Sequence, residues 1–142
     1  IAQKLNKTID DSILKDLWIS DFKNSILINE KVFQLVKNLK RRYRIGVVSN
    51  TIQEHADILT NMGVYKPFET LVLSHEVGIA KDNHEIFDIA LKRLDVKPED
   101  SIYIDDFKKY VDIASENGIN GIHFISYEQL VVDLGEFGIK GV

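Results

Sequence analysis

The sequence predicts an α/β protein built on a mainly parallel β-sheet. Four short apolar runs recur along the chain, and each is followed by a segment with helical periodicity. The first of these runs, in RIGVVS at 44–49, is continuously apolar rather than alternating, as is typical of a parallel strand that is buried on both faces. Strands that alternate with helices in this way indicate a parallel sheet covered by helices.

The elements follow one another in a regular order. Apolar residues three and four positions apart predict a helix over 9–22, a connection over 24–29 and an amphipathic helix over 30–43 with an apolar stripe. Gly63 is a natural residue to end the next helix. The remaining elements are strand 44–49, helix 51–62, strand 70–74, helix 83–94, strand 101–104, helix 108–116, strand 119–125 and helix 127–134.

Composition narrows the classes of function. The 142 residues suffice for one domain with a core, and the net charge of −4 argues against non-specific nucleic-acid binding, which needs a basic face. The absence of cysteine excludes disulfides, thiolate catalysis and cysteine-based zinc sites. No apolar run approaches the roughly 18 residues that span a membrane, and no signal peptide is visible. We therefore expect a cytoplasmic protein with neither a nucleic-acid nor a membrane partner.

Polar side chains follow three of the predicted strands at the point where each strand ends. Ser49 and Asn50 follow the first strand, Lys81 lies beyond the second, and Asp105 and Asp106 follow the third. Ligands of open parallel sheets bind at the carboxyl ends of the strands, so we expect these side chains to share one edge. Hydroxyls and helix amides bind phosphate, lysine neutralises it, and paired carboxylates hold magnesium.

Each of these residues also has a plain structural explanation. Ser49 and Asn50 suit a helix N-cap, Lys81 suits a solvated surface, and the acidic pair suits one cap and one exposed carboxylate. Among the histidines, His123 lies inside an apolar strand and is interpreted as structural, whereas His75 follows a strand end and is a weaker candidate for the site. The shared placement at one sheet edge favours a phosphate and magnesium site over these separate explanations.

Three segments resemble motifs two, three and four of the haloacid dehalogenase-like (HAD-like) hydrolase superfamily. They are IGVVSNT, SHEVGIAKDNHEIFDIALKRL and SIYIDDFKKYVDIASENGINGIHF, in the order of the family and each in its own βα unit. The resemblance covers about 30–126 and is greatest to phosphatase-like members with a small helical cap. It implies a three-layer Rossmann-like fold with an α/β core over 29–142, and a remnant of the cap over 1–28.

The resemblance also implies a role for each site residue. Ser49 and Lys81 would be catalytic: Ser49 would hydrogen-bond the transferring phosphoryl group, helped by Asn50, and Lys81 would neutralise the phosphate. Asp105 would bind Mg²⁺, and Asp106 would join it or orient its waters. The implied reaction is magnesium-dependent hydrolysis of a small phosphorylated metabolite through an aspartyl-phosphate.

The sequence departs from the family at three places. Asp82 stands where the family often has proline, and Phe107 and Tyr110 stand where it often has a small residue and an asparagine. The nucleophile motif, a D-x-D after an apolar strand, is absent: TIDDS at 8–12 and LWISDFK at 17–23 do not fit it. We therefore expect a C-terminal fragment whose core lacks its central first strand, which the family places between the strands ending at Ser49 and Asp105.

The missing strand leads to two structural expectations and one alternative function. Either the two flanking strands pair directly, or their unpaired edges lead to self-association with another copy. The alternative to a phosphatase is a catalytically inactive phosphate-binding or protein-interaction module. A receiver-type signalling domain is disfavoured, because it would place its acidic pair first and its lysine last.

Overall fold

The computed structural model describes residues 11–142, apart from a few side chains near its start. Within these residues, short strands and helices alternate as predicted. The helices are α1 (Asp11–Ser25), α2 (Glu30–Leu39), α3 (Gln53–Asn61), α4 (Ser74–Val77), α5 (Glu85–Leu94), α6 (Lys108–Glu116) and α7 (Tyr127–Glu136), and the strands are β1 (Gly46–Ser49), β2 (Thr70–Leu73), β3 (Ile102–Asp105) and β4 (Asn120–His123). The predicted α/β class is confirmed.

The four strands form two separate parallel pairs. Strand β1 pairs with β2, with Gly46 opposite Thr70, and β3 pairs with β4, with Ile102 opposite Asn120. No hydrogen-bonded pairing joins β1 to β3 in the described part of the chain. The expectation that these two strands pair directly is therefore wrong for residues 11–142. Each keeps one edge without a strand partner there.

Several helix ends differ from the sequence prediction, for local reasons. Helix α2 begins where the Asn29 side chain accepts a hydrogen bond from Val32 N at 3.1 Å, and it ends at Leu39, four residues earlier than predicted. The one-turn helix α4 was not predicted and ends at Gly78, whose φ of 72° is a left-handed conformation that favours glycine. These ends depend on caps and turns, which hydrophobic periodicity does not report.

Apolar packing joins the two strand pairs. The central cluster of buried residues combines Val72, Ile86, Phe87 and Ala90 from the β2–α5 region with Ala114 and Ile119 from the α6–β4 region. A second cluster places Leu35 of α2 against Ile122 of β4 and two leucines of α7. The predicted apolar stripe of α2 thus faces the core, although α2 precedes β1 in the chain.

Helix α1 contacts α3 through its described side chains. The ring of Phe22 stacks on His55 with centroids 3.5 Å apart, and Lys15 forms an ion pair with Glu54. Residues 1–10, which include part of the proposed cap remnant over 1–28, lie outside the described residues, and the division at residue 28 stays a prediction. None of the helices in residues 11–142 combines the length and hydrophobicity needed to cross a bilayer.

Gly121 allows helix α6 to approach strand β4. A Cβ at this position would lie 2.5 Å from Ser115 Oγ and 2.6 Å from Val111 Cγ1, both on α6. We expect Gly121→Ala to lower the free energy of unfolding by about 1–3 kcal/mol, because the helix must shift to relieve the contact. Chemical denaturation measures this change.

Gly135 supplies the matched control for this prediction. It lies in α7, and a Cβ there would meet nothing within 4 Å. Gly135→Ala should leave stability unchanged or raise it by up to about 1 kcal/mol, because alanine favours helix. Equal stability of Gly121→Ala and the wild-type chain would contradict the close approach.

Candidate active site

The predicted site residues lie at the carboxyl ends of β1 and β3 and in the loop between α4 and α5. Ser49 is the last residue of β1, Asp105 is the last residue of β3, and Lys81 lies in the loop. The ends of β1 and β2 are tied together by Ser74, whose Oγ accepts from Thr51 N at 2.9 Å and donates to Thr51 O at 3.0 Å. This tie fixes the start of the segment that follows Ser49.

An ion pair joins the two strand pairs at this edge. Lys81 Nζ donates to Asp105 Oδ2 at 2.6 Å, and the two side chains are only 13% and 8% exposed. The lysine comes from the β2 side and the carboxylate from β3, so residues that are 24 positions apart meet here. The structure therefore brings together two of the three charged residues that the sequence predicted for one site.

Asp105 is held by two further donors. Tyr103 Oη donates to Asp105 Oδ2 at 2.5 Å, and Phe107 N donates to Oδ1 at 2.8 Å. Burial alone would raise the pKa of Asp105, but the hydrogen bonds from Lys81 and Tyr103 outweigh it and hold this pKa below its usual range. Burial, together with the hydrogen bond to Asp105, raises the pKa of Tyr103. Asp105 therefore remains an anion while Tyr103 remains a neutral donor.

Asn50 connects the end of β1 to the Lys81 loop and to helix α6. Its Oδ1 accepts from Lys81 N at 2.8 Å, and its Nδ2 donates to Tyr110 Oη at 3.2 Å. The Lys81 ammonium also lies 4.6 Å from the centroid of the Tyr110 ring. Ser49 is half-buried, and its hydroxyl makes no hydrogen bond to the rest of the described chain. The Ser49 hydroxyl is thus the predicted phosphate ligand whose hydrogen-bonding capacity is unused.

The acidic pair fits a magnesium ion that keeps most of its water. Asp105 Oδ1 accepts one hydrogen bond and retains a lone pair, and Asp106 is exposed. No group of three or more ligating side chains surrounds them in the part of the chain described. Mg²⁺ is commonly held by one or two carboxylates together with waters and substrate phosphate, so this small donor set is adequate.

The histidines have different surroundings. His123 Nε2 lies 3.0 Å from the carbonyl oxygen of Asp106, which makes it a donor that holds the turn after β3. Both ring nitrogens of His75 are buried and find no hydrogen-bond partner among the described residues. Neither histidine is brought by a hydrogen bond to Lys81 or to the Asp105 carboxylate.

Sequence reasoning missed Tyr103 and assigned no role to Tyr110. Tyr103 could have been found from strand periodicity, since residues two apart point to the same face and Tyr103 precedes Asp105 by two. Tyr110 is on α6, and nothing in the sequence pattern shows that its ring reaches Lys81. Asp82, the departure from the usual proline, forms an ion pair with Lys109 of α6. The contacts of Tyr110 and of Asp82 each join helix α6 to the loop that carries Lys81.

Comparison with known protein families identifies the class of protein to which this fold belongs. The chain belongs to the haloacid dehalogenase-like hydrolase family, whose model matches residues 1–124. The resemblance that the three sequence motifs indicated is thereby confirmed at the level of the family.

Two of the relatives that this chain resembles are named as phosphatases. The glyceraldehyde 3-phosphate phosphatase of Methanothermobacter thermautotrophicus is 34% identical over 90 residues, which are 62% of this chain and 40% of that protein. The phosphorylated carbohydrates phosphatase of Thermotoga maritima is 30% identical over 84 residues, which are 58% of this chain and 39% of that protein. The chain thus matches about two fifths of the length of each of these relatives.

Solved structures confirm the HAD-like fold. A HAD family enzyme from Bacteroides thetaiotaomicron, solved in complex with magnesium and inorganic phosphate, matches with a TM-score of 0.74 at 23% identity, over 92% of this chain and 70% of that one. The L-2-haloacid dehalogenase from Xanthobacter autotrophicus, with chloropropionic acid covalently bound, matches with a TM-score of 0.70 at 18% identity, over 96% of this chain and 56% of that one. At these identities the likeness concerns the fold alone.

Proposed function

We propose that this chain supplies the phosphate-binding and magnesium-binding residues of a phosphatase that acts on a small phosphorylated metabolite. The ion pair between Lys81 and Asp105 at 2.6 Å carries the proposal, because it places a cation for phosphate beside a carboxylate for magnesium. The phosphatase activities of the named relatives support the same class of substrate.

Each residue has a chemical role in this proposal. Lys81 uses one hydrogen bond for Asp105, and within the described chain its ammonium has no second hydrogen-bond acceptor, so two N–H groups are free for phosphate oxygens. Ser49 adds a hydroxyl at the same edge. Asp105 and Asp106 would hold Mg²⁺, which would offset phosphoryl charge as a Lewis acid. Together these groups stabilise negative charge on a bound phosphoryl group.

Binding and turnover make separate demands on the protein. Phosphoryl transfer in this class needs an aspartate nucleophile and a second acid for proton transfer, and this sequence offers no D-x-D after an apolar strand. Residues 1–28 would be a remnant of the cap and would not supply this nucleophile motif. The alternative function, a catalytically inactive phosphate-binding or protein-interaction module, shares the binding site and differs only in turnover.

Calorimetric titration of the chain with inorganic phosphate, with and without Mg²⁺, tests the proposal. We expect magnesium-dependent binding that Lys81→Met weakens about tenfold or more, which corresponds to about 1.4 kcal/mol. Ser49→Ala should weaken phosphate binding without altering the fold, because the Ser49 hydroxyl makes no hydrogen bond to the described residues 11–142. Lys92→Met, at an exposed lysine on α5, is the control and should bind as the wild type does.

Two outcomes would contradict the proposal in different ways. A wild-type chain that binds no phosphate in the presence of Mg²⁺ overturns the binding site itself. If the protein at its natural length binds phosphate but does not hydrolyse an aryl phosphate in the presence of Mg²⁺, the phosphatase proposal is overturned. The inactive phosphate-binding module is then favoured.

A further inference from the structure

Tyr110 contacts two residues of the site that come from the other strand pair. Its hydroxyl accepts the hydrogen bond from Asn50 Nδ2, and its ring lies 4.6 Å below the Lys81 ammonium. Asn50 also binds the backbone N–H of Lys81. Asn50 therefore holds the backbone of Lys81, and the Tyr110 ring holds its ammonium. The hydrogen bond between Asn50 and Tyr110 links these two contacts.

An aromatic ring can hold the Lys81 ammonium without taking its hydrogen bonds, whereas a second carboxylate would take one. A ring attracts a cation through its quadrupole but accepts only weakly from N–H groups. Asp105 takes one hydrogen bond from the ammonium, and the Tyr110 ring bounds another side without occupying the remaining donors. Lys81 is thus fixed in place while its free N–H groups stay available for a phosphate oxygen.

Tyr110 is itself held by the turn that holds Asp105. The rings of Phe107 and Tyr110 meet edge to face with centroids 5.0 Å apart, and Tyr110 N donates to Phe107 O at 3.0 Å. The backbone N–H of Phe107 donates in turn to Asp105 Oδ1. The turn at Phe107, which begins α6, therefore orients both the Asp105 carboxylate and the Tyr110 ring. Both groups contact Lys81 from this turn.

We propose that Tyr110 is a positioning residue of the phosphate site, whose ring fixes the Lys81 ammonium and whose hydroxyl fixes the Asn50 amide. The effect on phosphate binding rests on the function proposed above, whereas the placement of Lys81 does not.

Two variants separate the ring from the hydroxyl. Tyr110→Phe keeps the ring over Lys81 and removes only the bond to Asn50, whereas Tyr110→Leu removes both. Phe33→Leu is the control, since Lys37 lies 5.1 Å from the Phe33 ring on the surface of α2 and a similar cation–ring contact is lost away from the site.

The first readout is the NMR chemical shift of the Lys81 Hε protons in the chain without ligand. An aromatic ring shifts protons above its face upfield, so the wild type and Tyr110→Phe should show shifted signals. In Tyr110→Leu these signals should return to the position of an ordinary lysine. This signature reports where the ammonium lies and does not depend on whether the chain binds phosphate.

The second readout is affinity for inorganic phosphate in the presence of Mg²⁺. Tyr110→Leu should weaken binding about threefold to thirtyfold, the range expected for a cation–π contact. Tyr110→Phe should weaken it less and should shift the side-chain amide signals of Asn50. Phe33→Leu should change neither the Lys81 signals nor the affinity.

The outcomes distinguish this inference from the proposed function. Unchanged Lys81 signals in Tyr110→Leu, or unchanged phosphate affinity in that variant while the wild type binds, overturn the positioning role. A wild type that binds no phosphate but loses its Lys81 ring shift in Tyr110→Leu overturns the proposed function and supports the placement. Should Tyr110→Leu fail to fold, unchanged Asn50 signals in Tyr110→Phe overturn the role of the hydroxyl.

Discussion

Replacement of Asp105 by asparagine is expected to lower the free energy of unfolding by about 3 kcal/mol, at the low end of the cost of breaking a buried pair from one side, because the Lys81–Asp105 pair is part-buried. Asp105 accepts hydrogen bonds from Lys81, Tyr103 and Phe107. Asparagine offers one acceptor oxygen and no charge, so the Lys81 ammonium would be left 13% exposed beside a neutral group. Urea denaturation at neutral pH measures the loss.

Two further variants show whether the loss comes from the ion pair between Lys81 and Asp105. Asp106→Asn changes the neighbouring exposed carboxylate and should alter stability by less than about 0.5 kcal/mol. The double variant Lys81→Met with Asp105→Asn removes the unpaired cation as well, and it should be more stable than Asp105→Asn alone. Wild-type stability in Asp105→Asn would show that the pair does not form.

Truncation of Phe87 to alanine is expected to cost about 3–5 kcal/mol, as for large cavities in well-packed cores. Phe87 lies on α5, is 1% exposed and belongs to the central cluster that joins the two strand pairs. Its ring meets Tyr103 of β3 edge to face, with centroids 4.8 Å apart. The cavity would therefore also loosen Tyr103, one of the donors to Asp105.

The matched control for this truncation is Phe137→Ala. Phe137 follows α7 and is 47% exposed, so its removal should cost less than about 1 kcal/mol. Thermal and urea unfolding of the two variants measure the difference. Equal losses at Phe87 and Phe137 would contradict the central place of Phe87 in the core.

The order of the strands and helices could be predicted because buried apolar residues recur in the sequence with the period of each helix or strand. The stripe on α2 shows which face of that helix is buried, and the structure places Leu35 in the core. The apolar run of β1 predicted burial on both faces, but all four residues of this strand are only half-buried, because no second strand or helix layer covers it fully in the described chain. Element ends could be predicted less well. They depend on single contacts, such as the cap at Asn29, and on turns such as the one at Gly78.

The site could be predicted as a set of strand-end residues but not as a set of contacts. Ser49 and Asp105 each end a parallel strand and could be predicted as strand-end residues, and the motif order added Lys81. The reach of a side chain from a loop or helix depends on local packing. The contacts of Tyr110 with Lys81, and of Asp82 with Lys109, therefore follow only from the structure.

The division of the strands into two parallel pairs has a thermodynamic consequence for the site. Each pair is contiguous in sequence, and within the described residues the pairs are joined by side chains and apolar packing rather than by a shared hydrogen-bonded ladder. Lys81 belongs to one pair and Asp105 to the other. A phosphate–magnesium complex that contacts both residues would bind only when the two strand pairs are packed together. Its binding energy would therefore raise the free energy of unfolding.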